Sequence, residues 1–179
     1  QWTHTYGGPR NEACHSVRQM PDGGYVLCAQ TLSFGAGQCD FYLIRIDEQG
    51  ETLWTRTYGG RGNDRGHMIG FCRDGGFIMA GQTNSFGAGN EDAWLVKTDS
   101  LGDTAWTRTF GGPADDQTLH AEQTADGGYM MVGTTSSFGA GLSDCWLVKT
   151  DSLGRVAVAE PGEPAVFRRS YSRPTIQPA

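Results

Sequence analysis

Carboxylate-bearing loops recur along the chain and are the first feature that could support chemistry. Their sequences are Asn11-Glu12, Asn63-Asp64 and Asp115-Asp116. Side-chain oxygens repeated in loops are ligands that Ca²⁺ prefers in proteins. Asn and Asp side chains also cap turns by hydrogen-bonding to their own backbone. Turn capping explains one such pair in each loop without a metal, and calcium binding is the alternative.

Histidine residues show no arrangement that indicates catalysis. His15 and His67 are 52 residues apart, and Leu119 stands at the third position of the same spacing, which is typical of a strand position. No Ser-His-Asp or Cys-His arrangement has local sequence support, and no glycine-rich segment precedes a helix that would hold phosphate. We therefore expect a protein that is not an enzyme and that has no catalytic residue, cofactor or metal.

Five cysteines leave an odd thiol. They form no Cys-x-x-Cys pair, and they are Cys14, Cys28, Cys39, Cys72 and Cys145. At least one thiol is then free, or paired between chains if the compartment is oxidising. Cys28 and Cys72 lie within or beside apolar strand patterns, and we expect them to be buried as small hydrophobic residues.

A repeat of 52 residues organises the whole chain. Its anchors are Tyr6, Tyr58 and Phe110 before Gly-Gly, the turns Asp22-Gly-Gly, Asp74-Gly-Gly and Asp126-Gly-Gly, the Ser-Phe-Gly-Ala-Gly segments at Ser33, Ser85 and Ser137, and the acids Asp40, Asp92 and Asp144. All of these anchors share one register. Internal repeats of this length are typical of propellers and other repeat architectures.

Each unit contains four strand-like runs, which in the second unit span residues 67–72, 77–83, 93–98 and 104–110. A short Asp-Gly-Gly turn joins the first two runs, because Asp and Gly tolerate positive φ. The middle runs carry apolar residues on both faces, as a sheet between two neighbours does. We therefore predict an all-β fold of the β-propeller type with three four-stranded blades of 52 residues.

The blade boundaries follow from the anchors. We predict blades at residues 7–58, 59–110 and 111–160, a Pro/Arg-rich tail at 161–179, and an outer strand of a preceding blade at 1–6. The run that begins at Val156 lies where the third fourth strand belongs, but it lacks the Trp, Arg and Tyr of that strand.

The second unit resembles the repeat of secreted bacterial and archaeal propeller proteins, which are grouped loosely with the quinoprotein-like propellers. The resemblance rests on Asp74-Gly-Gly-Phe-Ile-Met-Ala-Gly-Gln-Thr-Asn-Ser-Phe-Gly-Ala-Gly, on Asp92-Ala-Trp-Leu-Val-Lys-Thr-Asp and on Trp106-Thr-Arg-Thr-Phe-Gly-Gly. It covers residues 1 to about 160. It implies the fold, and no quinone chemistry is carried over, because three blades are too few for a quinone pocket.

Within this resemblance, Asp47, Gly50 and Trp54 are similar to the tryptophan-docking turn of quinoprotein blades, with one residue of difference in the spacing between Asp and Gly. The same holds for Trp106 in the next unit, whereas the third unit has Val158 at that place. The resemblance implies that Trp54 and Trp106 lock one blade to the next.

Three blades do not close a propeller, which has about four to eight. We therefore expect a homo-oligomer or polymer whose ring or fibre is completed by other subunits through head-to-tail contacts. The expected assembly residues are the donated strand Trp2, Thr3, His4, Thr5 and Tyr6, and the tail arginines Arg168, Arg169 and Arg173. A fragment of a larger secreted protein is the alternative.

Charge and composition limit the partners. The net charge is −6. No acidic residue follows Glu163, whereas the three tail arginines do, so the rest of the chain is strongly acidic. This charge disfavours nucleic-acid binding, and no apolar run has the roughly 20 residues that span a bilayer. We expect an extracellular or cell-surface structural protein. The alternative is a carbohydrate- or protein-binding module in which Phe34, Phe86 and Phe138 stack on sugars or plug their loops.

Overall fold

The computed structural model describes residues 1–156, which form eleven β-strands in three antiparallel sheets. No helix occurs within this part of the chain. The all-β class and the division into three repeated sheets are therefore confirmed. The tail arginines Arg168, Arg169 and Arg173 and most of the third expected fourth strand lie outside the described residues.

Each sheet follows the chain as a simple meander in which neighbouring strands are consecutive. The first sheet contains β1 (Glu12–Gln19), β2 (Tyr25–Thr31), β3 (Asp40–Ile46) and β4 (Thr52–Tyr58). The second contains β5 (Asp64–Phe71), β6 (Phe77–Thr83), β7 (Asp92–Thr98) and β8 (Thr104–Phe110). The third contains β9 (Asp116–Gln123), β10 (Tyr129–Thr135) and β11 (Asp144–Thr150).

Three of the four runs predicted in the second unit match the observed strands to within one residue. The first run begins earlier than predicted, at Asp64, because that residue already pairs with Thr83 on β6. The acidic residues of the recurring loops, Glu12, Asp64 and Asp116, are therefore the first residues of β1, β5 and β9.

The Asp-Gly-Gly sequences form the predicted hairpin turns. In the second sheet the Asp74 carboxylate accepts a hydrogen bond from the Gly76 amide at 3.0 Å. Gly75 has a φ of 82°, which a residue with a side chain rarely adopts. Each turn therefore combines an Asp that holds the backbone with a glycine that permits its bend.

A cation also holds each of these turns, and it is buried in the first two sheets and exposed in the third. Lys97 on β7 donates to the Asp74 carboxylate at 2.8 Å and to the Thr98 carbonyl oxygen at 2.8 Å. Arg45 and Lys149 make the equivalent ion pairs with Asp22 and Asp126. The Lys97 ammonium group holds the pKa of Asp74 below its ordinary value. The third strand is thus clamped to the first hairpin in every sheet.

Apolar side chains between adjacent sheets form the core. Phe41 and Leu43 of the first sheet pack with Ile69, Met79 and other side chains of the second. A second cluster joins the second sheet to the third and includes Met68, Ile78, Leu95, Ala121, Tyr129 and Trp146. Burial is thus greatest in the second sheet, which has a neighbour on both faces.

Candidate functional site: the junctions between sheets

The fourth strand of the first sheet docks onto a turn of the second. The Tyr58 hydroxyl donates to the Gly102 carbonyl oxygen at 2.6 Å. The Trp54 ring covers Gly102, whose φ is 79° and on which a Cβ would lie 2.9 Å from the ring. The Arg56 guanidinium lies 5.4 Å from the centre of the same ring. The Trp54 ring, which is partly buried, therefore contacts the next sheet.

The next junction repeats this geometry with one change. Trp106 covers Gly154, where a Cβ would lie 2.8 Å from the ring, and Arg108 lies 5.6 Å from the ring centre. Phe110 stands at the position of Tyr58 and has no hydroxyl to donate. Aromatic packing on the turn glycine is therefore the shared element of both junctions.

The N-terminal segment docks onto the first sheet in the same way, although it forms no strand. Trp2 donates from its indole nitrogen to the Glu48 carbonyl oxygen at 3.0 Å, and the Tyr6 hydroxyl donates to the Gly50 carbonyl oxygen at 2.9 Å. His4 contacts Gly50 where Arg56 contacts Gly102. Residues 2–6 thus occupy the place that a fourth strand of a preceding sheet would take.

Two buried carboxylates meet at each internal junction. Asp40 Oδ1 and Asp64 Oδ2 both lie within 2.6 Å of the position that a Cβ on Gly59 would take. At the next junction, Asp92 and Asp116 flank Gly111 in the same way, within 2.7 Å. Each pair brings the third strand of one sheet near the first strand of the next, a proximity that the loop sequences alone did not predict.

Hydrogen bonds stabilise one member of the first pair better than the other. Asp64 accepts from the Ser85 hydroxyl at 2.7 Å, from the Gly60 amide at 2.8 Å and from the Thr83 hydroxyl. Asp40 Oδ1 is buried without a hydrogen-bond partner among the described residues. Burial, with the nearby charge of Asp64, raises the pKa of Asp40. Burial thus disfavours ionisation of Asp40.

The outer ends of the chain each hold half of such a pair. A Cβ on Gly7 would meet Glu12 Oε2, and the three atoms nearest to it all belong to Glu12. Asp144 accepts from the amides of Ala140 and Gly141 at 3.1 Å, as Asp92 does in its own loop. Among the described residues, no second carboxylate lies beside Glu12 as Asp40 lies beside Asp64, or beside Asp144 as Asp116 lies beside Asp92.

The outer face of the third sheet is apolar and exposed. Leu147 is 63 % exposed, whereas Leu43 and Leu95, at the same repeat position, are fully buried against neighbouring sheets. Met130, Val132 and Cys145 lie on the same face at the positions of buried residues in the other sheets. This surface, defined by Met130, Val132, Cys145 and Leu147, is called face B below.

The opposite end of the stack also exposes part of a sheet face. Val17 on β1 is 51 % exposed, whereas its equivalent Ile69 is fully buried. Residues 2–6 cover the neighbouring part of this sheet, where Tyr6, Tyr25 and Leu27 pack on Tyr42 and Ile44. The surface formed by Cys14, Val17 and residues 2–6 is called face A.

The three predicted ligand-loop phenylalanines pack on aromatic neighbours. Phe34, Phe86 and Phe138 lie 5.5 to 5.8 Å from the rings of Tyr42, Trp94 and Trp146. The rings of Phe34 and Phe86 are partly exposed. This packing agrees with a role in closing the loops, and stacking of sugars on these rings stays a prediction.

Two histidines approach each other across the first junction. The rings of His15 and His67 are 5.8 Å apart, and His67 bonds to the Thr118 carbonyl oxygen at 3.1 Å. Burial lowers the pKa of His67. Sequence reasoning gave these residues equivalent strand positions but did not predict the contact, which arises because equivalent strands pack nearly in register.

Residues 1–156 contain no group of three or more His, Cys, Asp or Glu side chains placed to hold a metal ion. The same residues include no helix that could cross a bilayer.

Removal of a docking tryptophan tests the junctions. Trp54→Ala and Trp106→Ala are each expected to lower the free energy of unfolding, by less than the roughly 3–5 kcal/mol of a fully buried tryptophan, because each ring covers the turn glycine but is only partly buried. Trp2→Ala is the matched control with a smaller expected loss, since Trp2 is 47 % exposed. Urea unfolding measures the change, and an unaltered midpoint for either internal variant would contradict the docking role.

Replacement of the Asp40 carboxyl group by the neutral amide of asparagine tests the environment that Asp40 shares with Asp64. The pKa of Asp40 is raised from its ordinary value of 3.8 in the folded protein. The wild type therefore loses stability as the pH rises from 3.8 through the pKa of Asp40 in the folded state. Asp40→Asn avoids this loss and is expected to raise Tm at pH 7, with the gain disappearing below about pH 4.

Asp144→Asn is the control for this variant, since no second carboxylate lies beside Asp144 in the described chain. In dilute, reduced protein its Tm should equal that of the wild type. A Tm of Asp40→Asn at or below the wild-type value at pH 7 would contradict the expected cost of ionising Asp40 in its buried position.

Comparison with known proteins yields limited similarity. No protein-family model matches the chain. The chain is similar to the regulatory protein FlaEY of Caulobacter vibrioides, with 26 % identity over 113 residues, covering 56 % of this chain and 12 % of that protein. The chain thus matches a small part of the length of this relative.

Proposed function

We propose that the protein is a structural module of the β-propeller type whose copies associate head to tail. The observation that supports this proposal most strongly is that face A and face B are the two halves of a junction that occurs twice inside the chain. In such an assembly, face B of one copy packs on face A of the next.

The apolar surfaces are complementary in position. At the first internal junction, Leu43 and Phe41 of one sheet pack in the same cluster as Ile69 of the next. Across the proposed contact, Leu147 and Cys145 take the places of Leu43 and Phe41, and Val17 takes the place of Ile69. Burial of these exposed side chains supplies the driving force of association.

Backbone groups at the same contact are complementary as well. The outer edge of β11 has no strand paired with it in the described chain, whereas β3 and β7 pair with β4 and β8. Residues 2–6 are docked on the first sheet with no strand paired to their own edge. Pairing of residues 2–6 with β11 of another copy would complete a fourth strand and satisfy both edges.

The carboxylates supply a further match. In the proposed contact, Asp144 of one copy stands beside Glu12 and Gly7 of the next, as Asp40 stands beside Asp64 and Gly59 within the chain. Hydrogen bonds, first that from the Ser33 side chain, lower the pKa of Glu12. The apolar side chains, the unpaired backbone edge and the carboxylate of face B therefore each have a counterpart at face A.

A contact between different faces is heterologous, so it gives a closed ring or an open filament according to the rotation per copy. Two copies would provide six blades, which is within the usual range for propellers. We propose an extracellular or cell-surface location for this assembly. The tail arginines would add a salt-sensitive contact with the acidic body of a neighbour.

Deletion of residues 1–6 tests the strand exchange. The full chain is expected to sediment as a dimer or a larger species, and the truncated chain as a monomer with similar β-content by circular dichroism. Assembly of the truncated chain like that of the full chain would show that strand exchange does not join the copies.

A point substitution on face B supports the same test without removing residues that cover the first sheet. Leu147→Arg should abolish assembly, because a charge would be buried at the contact. Leu53→Arg is the matched control, since Leu53 is 55 % exposed on β4 and belongs to neither face A nor face B. A full chain that is monomeric at high concentration would contradict the proposal itself.

A further inference from the structure

Two exposed thiols lie on the two surfaces that the proposed assembly brings together. Cys14 is exposed on face A, and Cys145 is exposed on face B. The other three cysteines, Cys28, Cys39 and Cys72, are buried. Burial raises the pKa of Cys28 strongly, as expected for an inert thiol.

The first internal junction shows how near the equivalent positions come. The 52-residue repeat places Cys14 at the position of Gly66 and Cys145 at the position of Phe41. A Cβ on Gly66 would lie 3.2 Å from Cγ of Phe41, across the gap between the two sheets. These two positions therefore face each other wherever one sheet packs on the next.

This separation agrees with the geometry of a disulfide bond. The sulfur of a cysteine occupies the γ position, so the Cγ of Phe41 marks where the sulfur of Cys145 would lie in one rotamer. In a disulfide with an S–S bond of about 2.05 Å, each Cβ lies about 3 Å from the sulfur of the other residue. At the second internal junction the same positions hold Ala93 and Thr118, which are fully buried.

We propose that Cys14 of one copy forms a disulfide bond with Cys145 of the next, so that head-to-tail assembly is covalently locked. The inference rests on the proposed function, because within one chain the two thiols lie on sheets at opposite ends of the stack. It also accounts for two members of an odd set of cysteines that form no pair in the described chain.

The reaction needs a disulfide oxidant, which is supplied by a small-molecule disulfide such as oxidised glutathione. The thiolate of one cysteine attacks the oxidant and releases one thiol, and the thiolate of the other attacks the mixed disulfide and releases a second. Two protein thiols thus become one S–S bond, and the two electrons and two protons reduce the oxidant to two thiols. An extracellular location would favour the oxidised product.

Complementation of two single-cysteine variants tests this pairing. Cys14→Ser and Cys145→Ser are purified under reduction, and each is incubated with oxidised glutathione, separately and mixed. Wild type is expected to give covalent dimers or a ladder on non-reducing gels. Each variant alone should remain monomeric on the gel, and the mixture should give dimers whose peptide mass identifies a Cys14–Cys145 bond.

Two results would overturn the inference. One is a Cys14–Cys14 or Cys145–Cys145 bond as the main product, since either requires identical faces to meet. The other is the absence of a Cys14–Cys145 bond in protein that sediments as an assembly under reduction, which would leave the proposed function intact. Wild type that is monomeric under reduction and gives no Cys14–Cys145 bond on oxidation would contradict both proposals.

Discussion

Burial of sheet faces against neighbouring sheets is the interaction on which the structure depends. A four-stranded sheet of this sequence has apolar side chains on both faces, so a single sheet would expose two apolar faces to water. The second sheet packs against a neighbour on both faces, and its strands β6 and β7 are buried along their entire length. In repeat proteins of this kind, stability is approximately the sum of unit terms and junction terms. Each junction then matters as much as the sheets that it joins.

The repeated elements of a junction lie within a short distance of each other along the chain. After the aromatic strand docks on the turn glycine, the following Gly-Gly passes between two carboxylates that belong to adjacent sheets. A side chain on Gly59 or Gly111 would overlap these carboxylates, which gives a physical reason for the Gly-Gly anchors. The same geometry that joins neighbouring sheets inside the chain leaves incomplete elements at face A and face B.

Much of the fold was predictable from the sequence, because the turn residues and apolar runs repeat at a fixed interval. The second, third and fourth strands of the second unit were predicted to within one residue. The start of β5 was missed because the acid at position 64 looks like a loop residue, although its carboxylate is buried and hydrogen-bonded within the sheet. The resemblance to quinoprotein blades implied a docking role for Trp54 and Trp106, and this role stays a prediction, although both rings contact a turn glycine of the next sheet.

The candidate site was less accessible to sequence reasoning, since its parts come from different units. Asp40 and Asp64 are separated by two strands and two loops, and no local spacing indicates that they lie close together. The proximity of Asp40 and Asp64 is seen only in the three-dimensional structure. The pairing proposed for Cys14 and Cys145 follows when the first internal junction is shifted along the 52-residue repeat to the outer faces. The clamp of Lys97 on Asp74 was also missed, because an isolated lysine within an apolar strand gives no indication of its partner.

The most direct test of head-to-tail assembly mixes two variants that are blocked on opposite faces. Val17→Arg disables face A and leaves face B intact, whereas Leu147→Arg disables face B and leaves face A intact. Sedimentation under reducing conditions should show each variant alone as a monomer and an equimolar mixture as a heterodimer joined by the two intact faces. A mixture that remains monomeric while wild type assembles, or a single variant that still dimerises, would contradict a contact between face A and face B.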